Sequence, residues 1–404
     1  MRRLLPLLLI TLLLSPLARA DRRRTIVGND NIIIGGLFSL TGDGATLGKA
    51  SQAALELAAR DINAELAALH VTYRVQTVIA DTKLTPDGAL DGIKSLDATG
   101  ATIVVGPQSS AEAAAILPYA NEHGIIVISQ ASTASSLAIA NDNLFRLAPN
   151  DRLEGAAIAA LMRADGVDIL VPVWRNDAGN TGLKESTSQL FTAAGGSAAD
   201  GVSYAPTTTD FTATVDGLGA AVRAAKNANP SKKIAVFIAS FEEGAAILDR
   251  ARLDSDLMLG WYSGDGLTQS RALLSPSAIA AFAAATKFTA PAVSLSEETR
   301  NRWEPLSAEI AARVGFLPDA FSLSVYDAAW VASLSSIEVR NRADVRRDAF
   351  VRNVERYWGV TGPLALDAAG DRRVADFDFW TVSASGAAID WAKTASYVSG
   401  RLVR

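Results

Sequence analysis

Two hydroxyl-rich turns carry the side chains best placed to do chemistry. Gly106-Pro107-Gln108-Ser109-Ser110 follows the apolar run Ile103-Val104-Val105, and Ser129-Gln130-Ala131-Ser132-Thr133 follows Ile125-Ile126-Val127-Ile128. Hydroxyls and free backbone N–H groups at the carboxyl ends of apolar strands can hold an anion, and a helix N-terminus adds a favourable dipole. Ser110 opens a helix, where it can serve as an N-cap worth about 1 kcal/mol, as an anion contact, or as both. A third feature is Asp265, flanked by glycines in Ser263-Gly264-Asp265-Gly266. An acid there is an ordinary turn residue or the partner of a cation.

Catalytic groups are scarce beside these. The chain has no cysteine and two histidines, His70 and His123, both read as turn or helix-end residues. No Gly-x-Ser-x-Gly elbow occurs, so a serine hydrolase has no nucleophile in place. The loop Gly42-Asp43-Gly44-Ala45-Thr46-Leu47-Gly48 is one residue too long for a dinucleotide fingerprint. The pattern favours holding a small polar molecule over transforming one, and it calls for no cofactor and no metal.

The elements that position these residues alternate. Strands are read at 32–38, 71–80, 103–106, 125–128 and 144–147, with helices at 50–66, from 85 through 96, and at 111–121. The series then restarts, with strands at 169–174, 201–204, 234–239 and 257–262 and helices at 151–164, 181–194, 211–225 and 242–252. Residues 265–300 are less regular; a long helix spans 319–338 and a late strand 377–382. Two successive strand–helix series imply an α/β protein of two doubly wound lobes.

Residues 1–20 read as a cleaved secretory signal peptide: Met1-Arg2-Arg3, an apolar stretch from Leu4 to Leu14, and the small-x-small site Ala18-Arg19-Ala20. Without the three arginines of that segment, 35 basic residues face 43 acidic ones, which argues against nucleic acid as a partner. A monomer free in the periplasm is the expectation. With no disulfide available, stability must come from large cores.

The ordered set Gly36-Leu37-Phe38-Ser39-Leu40-Thr41-Gly42, Gly48, Asp61-Ile62-Asn63, Asp81-Thr82, Gly106 to Ser110, Gly124 to Ser129, Phe145-Arg146, Gly264-Asp265-Gly266, Tyr326-Asp327-Ala328 and Thr361-Gly362-Pro363-Leu364 resembles the type I periplasmic solute-binding proteins. Their leucine/isoleucine/valine-binding branch, which serves ABC importers, is the nearest in pattern. The resemblance implies two lobes joined by three crossover strands near 146–149, 287 and 375. Lobe 1 would comprise 26–148 and 288–375, and lobe 2 would comprise 149–287 and 376–404. It implies ligand contacts as well: Ser110 and Thr133 to a carboxylate, the Ala131 carbonyl and Asp265 to an ammonium, and Leu47, Gly179 and Phe241 to the side chain, with Ser109, Gln130 and Ser132 as neighbours. Many relatives carry an aromatic residue where this chain has Gly179, which leaves room or a gap that Trp174, Trp261 or Tyr262 could fill. The implied function is capture of an amino acid, with an apolar or aromatic side chain, for delivery to an ABC permease. A ligand sensor of the same fold, or a binder of an aromatic acid or amide, stays open.

Overall fold

A computed structural model describes residues 31–339, 346–386 and 388–404. The signal peptide read at 1–20 lies outside the described residues.

The first sheet holds β1 (Asn31–Phe38), β2 (Arg74–Asp81), β3 (Ile103–Val105), β4 (Ile126–Ser129) and β5 (Leu144–Arg146), all parallel, in the order β2-β1-β3-β4-β5. Its inner strands β3 and β4 are continuous apolar, β-branched runs because both faces are covered. One face packs on α1 (Ala45–Ala68); the other packs on α2 (Pro86–Ala98) and α3 (Ser110–His123). Helix α1 begins five residues before the sequence reading placed it, with Gly44 as its first flanking residue and no side-chain cap to announce it.

The second sheet repeats the winding. Its central strands are β6 (Ile169–Arg175), β7 (Ser197–Ala198), β8 (Val202–Tyr204), β9 (Ile234–Ala239), β10 (Gly260–Ser263) and β11 (Thr289–Val293). Helices α4 (Asp151–Ala164) and α5 (Ala178–Ala193) cover one face; α6 (Thr212–Ala228), α7 (Gly244–Ala251) and α8 (Ser277–Ala285) cover the other. Strand β11 pairs with β10, whereas the sequence reading returned the chain to the first lobe at 288.

The chain then returns to the first body. Helices α9 (Arg300–Val314), α10 (Ala320–Val339) and α11 (Arg346–Arg356) join the α1 face of the first core, and the short hairpin β12 (Trp358–Gly359) and β13 (Gly362–Pro363) follows. Helix α10 is buried on nearly every side, from Ser322 to Ser335. Asp327 on it accepts from Val360 N at 2.7 Å and Thr361 N at 3.0 Å, tying the hairpin to the core. Finally β14 (Phe377–Ser385), β15 (Ala388–Val398) and β16 (Arg401–Val403) extend the second sheet as an antiparallel edge beside β11.

Both parallel series therefore have the same strand order, with a switch point between the first strand and the strand on its other side. Crevices at such points are where open α/β sheets bind ligands. In the first sheet the switch lies between β1 and β3; in the second it lies between β6 and β9.

Candidate functional site

The two switch points face one another across a cleft. On the first side, Gly48 lets α1 pack against the end of β1: a Cβ there would lie 1.8 Å from the Ser39 carbonyl oxygen. The loop between them is tied down by Asp81, which accepts from Leu40 N at 2.9 Å and from the Thr41 hydroxyl at 2.7 Å. Leu47, half-buried, is thereby fixed at the cleft edge.

The cap of α3 is Ser109, not Ser110. Ser109 and Glu112 form a reciprocal capping box, with Ser109 N donating to Glu112 Oε2 at 2.9 Å. The shift by one residue frees Ser110, the first helical residue. Its Oγ accepts from Ala134 N at 3.1 Å and lies 3.0 Å from Ser132 Oγ. With one lone pair of Ser110 occupied by the Ala134 N–H, its hydroxyl proton is free for a ligand when Ser132 is the donor of the Ser110–Ser132 pair. Ser129 holds the second turn: its hydroxyl donates to the Pro107 carbonyl at 2.6 Å and accepts from Ser132 N at 2.9 Å. Ser132 and Thr133 are buried, and Ala131 is half-buried. Gln108 donates to the Gly44 carbonyl at 3.1 Å, and Gln130 lies 3.4 Å from Ser51 Oγ.

On the second side, Asp265 follows β10 as Thr133 follows β4, so the acid and the hydroxyl turn hold matching places in the two windings. Asp265 N donates to Glu154 Oε1 at 2.9 Å. Burial pushes the Asp265 carboxyl up to about 6, with Asp319 as a second cause. Glu154 is raised by burial and then by Asp265. Asp151, at the start of α4, is pushed up to about 7 by burial, with the Thr133 hydroxyl and the Ser135 N–H close enough to oppose the rise. Asp319, ahead of α10 in the first body, is exposed by surface area, its carboxyl is raised with burial as the first cause, and it lies near enough to raise Asp265. Four carboxyl groups thus converge on one end of the cleft, and the sequence reading named only Asp265. Asp151 and Glu154 look in sequence like ordinary first-turn acids of a helix, and nothing local marks Asp319 as their neighbour.

The bodies touch across the cleft. Thr46 donates to Glu242 Oε1 at 3.0 Å, which brings the neighbouring Leu47 and Phe241 to facing sides. Arg175 at the end of β6 pairs with Asp177 at 2.9 Å and Glu243 at 3.2 Å, reaches within 3.9 Å of Asp43 of the first body, and lies over the Phe241 ring. Gly179 is on the first turn of α5; a Cβ there would stand 3.5 Å from Ser110 Oγ. This helix end packs directly on the hydroxyl turn, at a distance that would still admit a Cβ. Trp261 and Tyr262 do not fill the space. Trp261 is sealed in the second core with its indole N–H on the Leu257 carbonyl, and the Tyr262 hydroxyl donates to Asp165 at the opposite end of the strands. Trp174 is half-buried beneath Lys184.

The histidines take no part: His123 ends α3, 2.8 Å from Asp97, and His70 occupies a turn with positive φ. Among the described residues there is no group of three or more His, Cys, Asp or Glu able to hold a metal ion, and no helix long and apolar enough to cross a membrane.

Two windings facing each other across a cleft, joined by several chain crossings, define a two-lobed binding protein. The periplasmic binding protein family model matches residues 31–387, and the chain belongs to that family. An uncharacterized protein of Methanocaldococcus jannaschii, MJ1266, is 27% identical over 378 residues, covering 88% of each chain. Among solved structures, the branched-chain amino acid substrate-binding protein LivJ of Streptococcus pneumoniae, in complex with isoleucine, superposes with a TM-score of 0.70 at 21% identity, covering 90% of this chain and 100% of LivJ. A solute-binding protein of an ABC transporter from R. palustris, in complex with benzoate, gives 0.71 at 18% identity, covering 90% and 96%. The fold is the type I periplasmic binding fold, and the family is one of binding proteins, not enzymes.

Proposed function

We propose that the protein captures an amino acid between its lobes in the periplasm and delivers it to an ABC permease. The observation that carries this reading is the placing of opposite chemistries on opposite lobes. Ser110 offers a hydroxyl at a helix N-terminus, and Ser132 and Thr133 offer theirs from the neighbouring turn, the surroundings a carboxylate needs once closure removes water. Asp265 offers the ammonium an anion from the other lobe, with the Ala131 carbonyl as a further acceptor. Only the closed form satisfies both ends, so binding and closure are one event. Leu47 and Phe241 supply an apolar wall for the side chain, with Ser109 and Gly179 at the edge of the pocket. The convergence of carboxyl groups favours an amine-bearing ligand over a simple aromatic acid, whose single anionic group would meet Asp265 and Asp319.

The test is Asp265→Ala. A panel of amino acids and aromatic acids is first screened by thermal shift, because a ligand raises folded-state stability by mass action. Calorimetry with the tightest amino acid should then show a loss of about 100-fold or more in the variant, about 3 kcal/mol for a charge-assisted contact. The unliganded variant should melt no lower than the wild type, since the acid it removes is held at raised pKa. Unchanged affinity would remove Asp265 from the site.

A further inference from the structure

We infer that Arg146 is a positioning residue for ligand capture: its guanidinium fixes the Thr133–Ala134 turn so that Ser110 presents a donor to the ligand carboxylate. This inference rests on the reading of Ser110 as a carboxylate contact and adds the group that orients it.

Arg146 ends β5, at the first crossing between the lobes, and 1% of its side chain is exposed. Its Nε and Nη2 fork onto the two oxygens of Asp371, equally buried, with the Nε bond at 2.6 Å. Its Nη1 donates to the Ala134 carbonyl, also at 2.6 Å. The backbone of the same residue is bonded on both sides: Arg146 N donates to Gly370 O at 2.9 Å, and Arg372 N donates to Arg146 O at 3.0 Å. The side chain is therefore anchored at its root and at one edge of its plane. The other edge fixes the position of one residue, Ala134.

Ala134 is the residue whose N–H donates to Ser110 Oγ. One carbonyl away, Thr133 O accepts from Asp151 N at 2.9 Å, so the turn is held on both sides. If Ala134 drifts, Ser110 loses its N–H donor and its proton can turn inward. The hydroxyl then stops being an aimed donor. A planar guanidinium meets three acceptors at fixed angles here; an ammonium on a flexible stem cannot.

The experiment compares a carboxylate with its amide. Calorimetry over the twenty amino acids and benzoate selects the tightest carboxylate, which is then measured beside its own carboxamide in the wild type, Arg146→Lys and Ser110→Ala. The wild type should prefer the carboxylate by at least about tenfold. Ser110→Ala and Arg146→Lys should each reduce that preference to within about threefold, and the double variant should show no further loss, since the two act on one hydrogen bond. A merely structural role for Arg146 would weaken both ligands alike and leave the ratio intact, and that result overturns the inference. If Ser110→Ala itself leaves the ratio intact, or no carboxylate binds, the underlying reading of the jaw falls and takes this one with it. Should Arg146→Lys fail to fold, Asp371→Asn, which loosens the same fork, carries the same expectation.

Discussion

At the scale of single residues, the acid end of the cleft is held in a state that the proposed ammonium ligand would change. Burial raises Asp265 to about 6 and Asp151 to about 7, and Glu154 and Asp319 also lie above the usual carboxylate range. In the unliganded protein, Asp265 retains a proton at pH values where an unfolded aspartate has lost it. Between about pH 4, the unfolded value, and about 6, folding stability from this group therefore falls as pH rises. An ammonium beside Asp265 favours the ionised form and reverses that preference. Binding below about pH 6 should release a proton, and affinity for an amino acid should strengthen several-fold from pH 5 to 7 and then level off. Calorimetry in two buffers of different ionisation enthalpy reads the proton directly. Equal apparent enthalpies at pH 5.5, together with flat affinity, would show that no carboxyl group changes state. Asp265 was legible in the sequence as one acid between glycines; its company was not, because Glu154 and Asp319 are 111 residues before it and 54 after it and meet it only through the fold.

At the scale of elements, the parallel strands and their turns were legible because their signals are local. Apolar runs ending in Gly-Pro-Gln-Ser-Ser or Ser-Gln-Ala-Ser-Thr mark strand ends wherever they occur. Helices α9 and α11 and strands β7, β11, β15 and β16 passed unseen. Strand β15 is largely exposed, with no alternation to reveal it, and α11 carries few apolar residues. The offset at Ser109 and Ser110 has a similar origin: both residue types cap well, and only the reciprocal bond to Glu112 decides between them. The start of α5 is where element geometry bears most on specificity. Asp177 caps it through Asn180 N at 2.9 Å, and the Cβ position at Gly179 has ordinary contact distances to Ser110 Oγ and Asp177. Gly179→Ala should therefore leave affinity within about threefold, under about 1 kcal/mol. Gly179→Phe places a ring where the helix end meets the hydroxyl turn, and it should weaken binding by at least about tenfold, about 1.4 kcal/mol. Calorimetry on both variants separates a loss of space from loss of the glycine itself. Tight binding by the phenylalanine variant would show that the ring finds room beside the ligand.

At the scale of the whole molecule, the lobes are linked at two kinds of place with different mechanical roles. The crossings are stiffly bonded: Arg146 to Asp371 across the first and third, and Ser294 N to Asp376 O at 2.8 Å across the second and third. The mouth is held by weaker contacts, the bond from Thr46 to Glu242 and the approach of Asp43 to Arg175. Thr46 is exposed and Asp43 is 56% exposed, so each contact contributes about 0.7 kcal/mol, and the two together bias closure by about tenfold. Arg175 keeps Asp177 and Glu243 when the mouth opens, so its charge is never stranded. That arrangement suits a hinged trap, because opening costs little and the ligand supplies most of the closing free energy. Asp43→Ala combined with Thr46→Ala should lower the closed fraction of the unliganded protein, seen as a larger radius of gyration in solution scattering. With saturating ligand the radius should return to the wild-type value. Affinity should fall by up to about tenfold, and most of that change should lie in a faster release rate, since these contacts form after the ligand has entered. A variant with unchanged release and an unchanged unliganded radius would show that the mouth contacts contribute nothing to closure and that the cleft is held by the ligand alone.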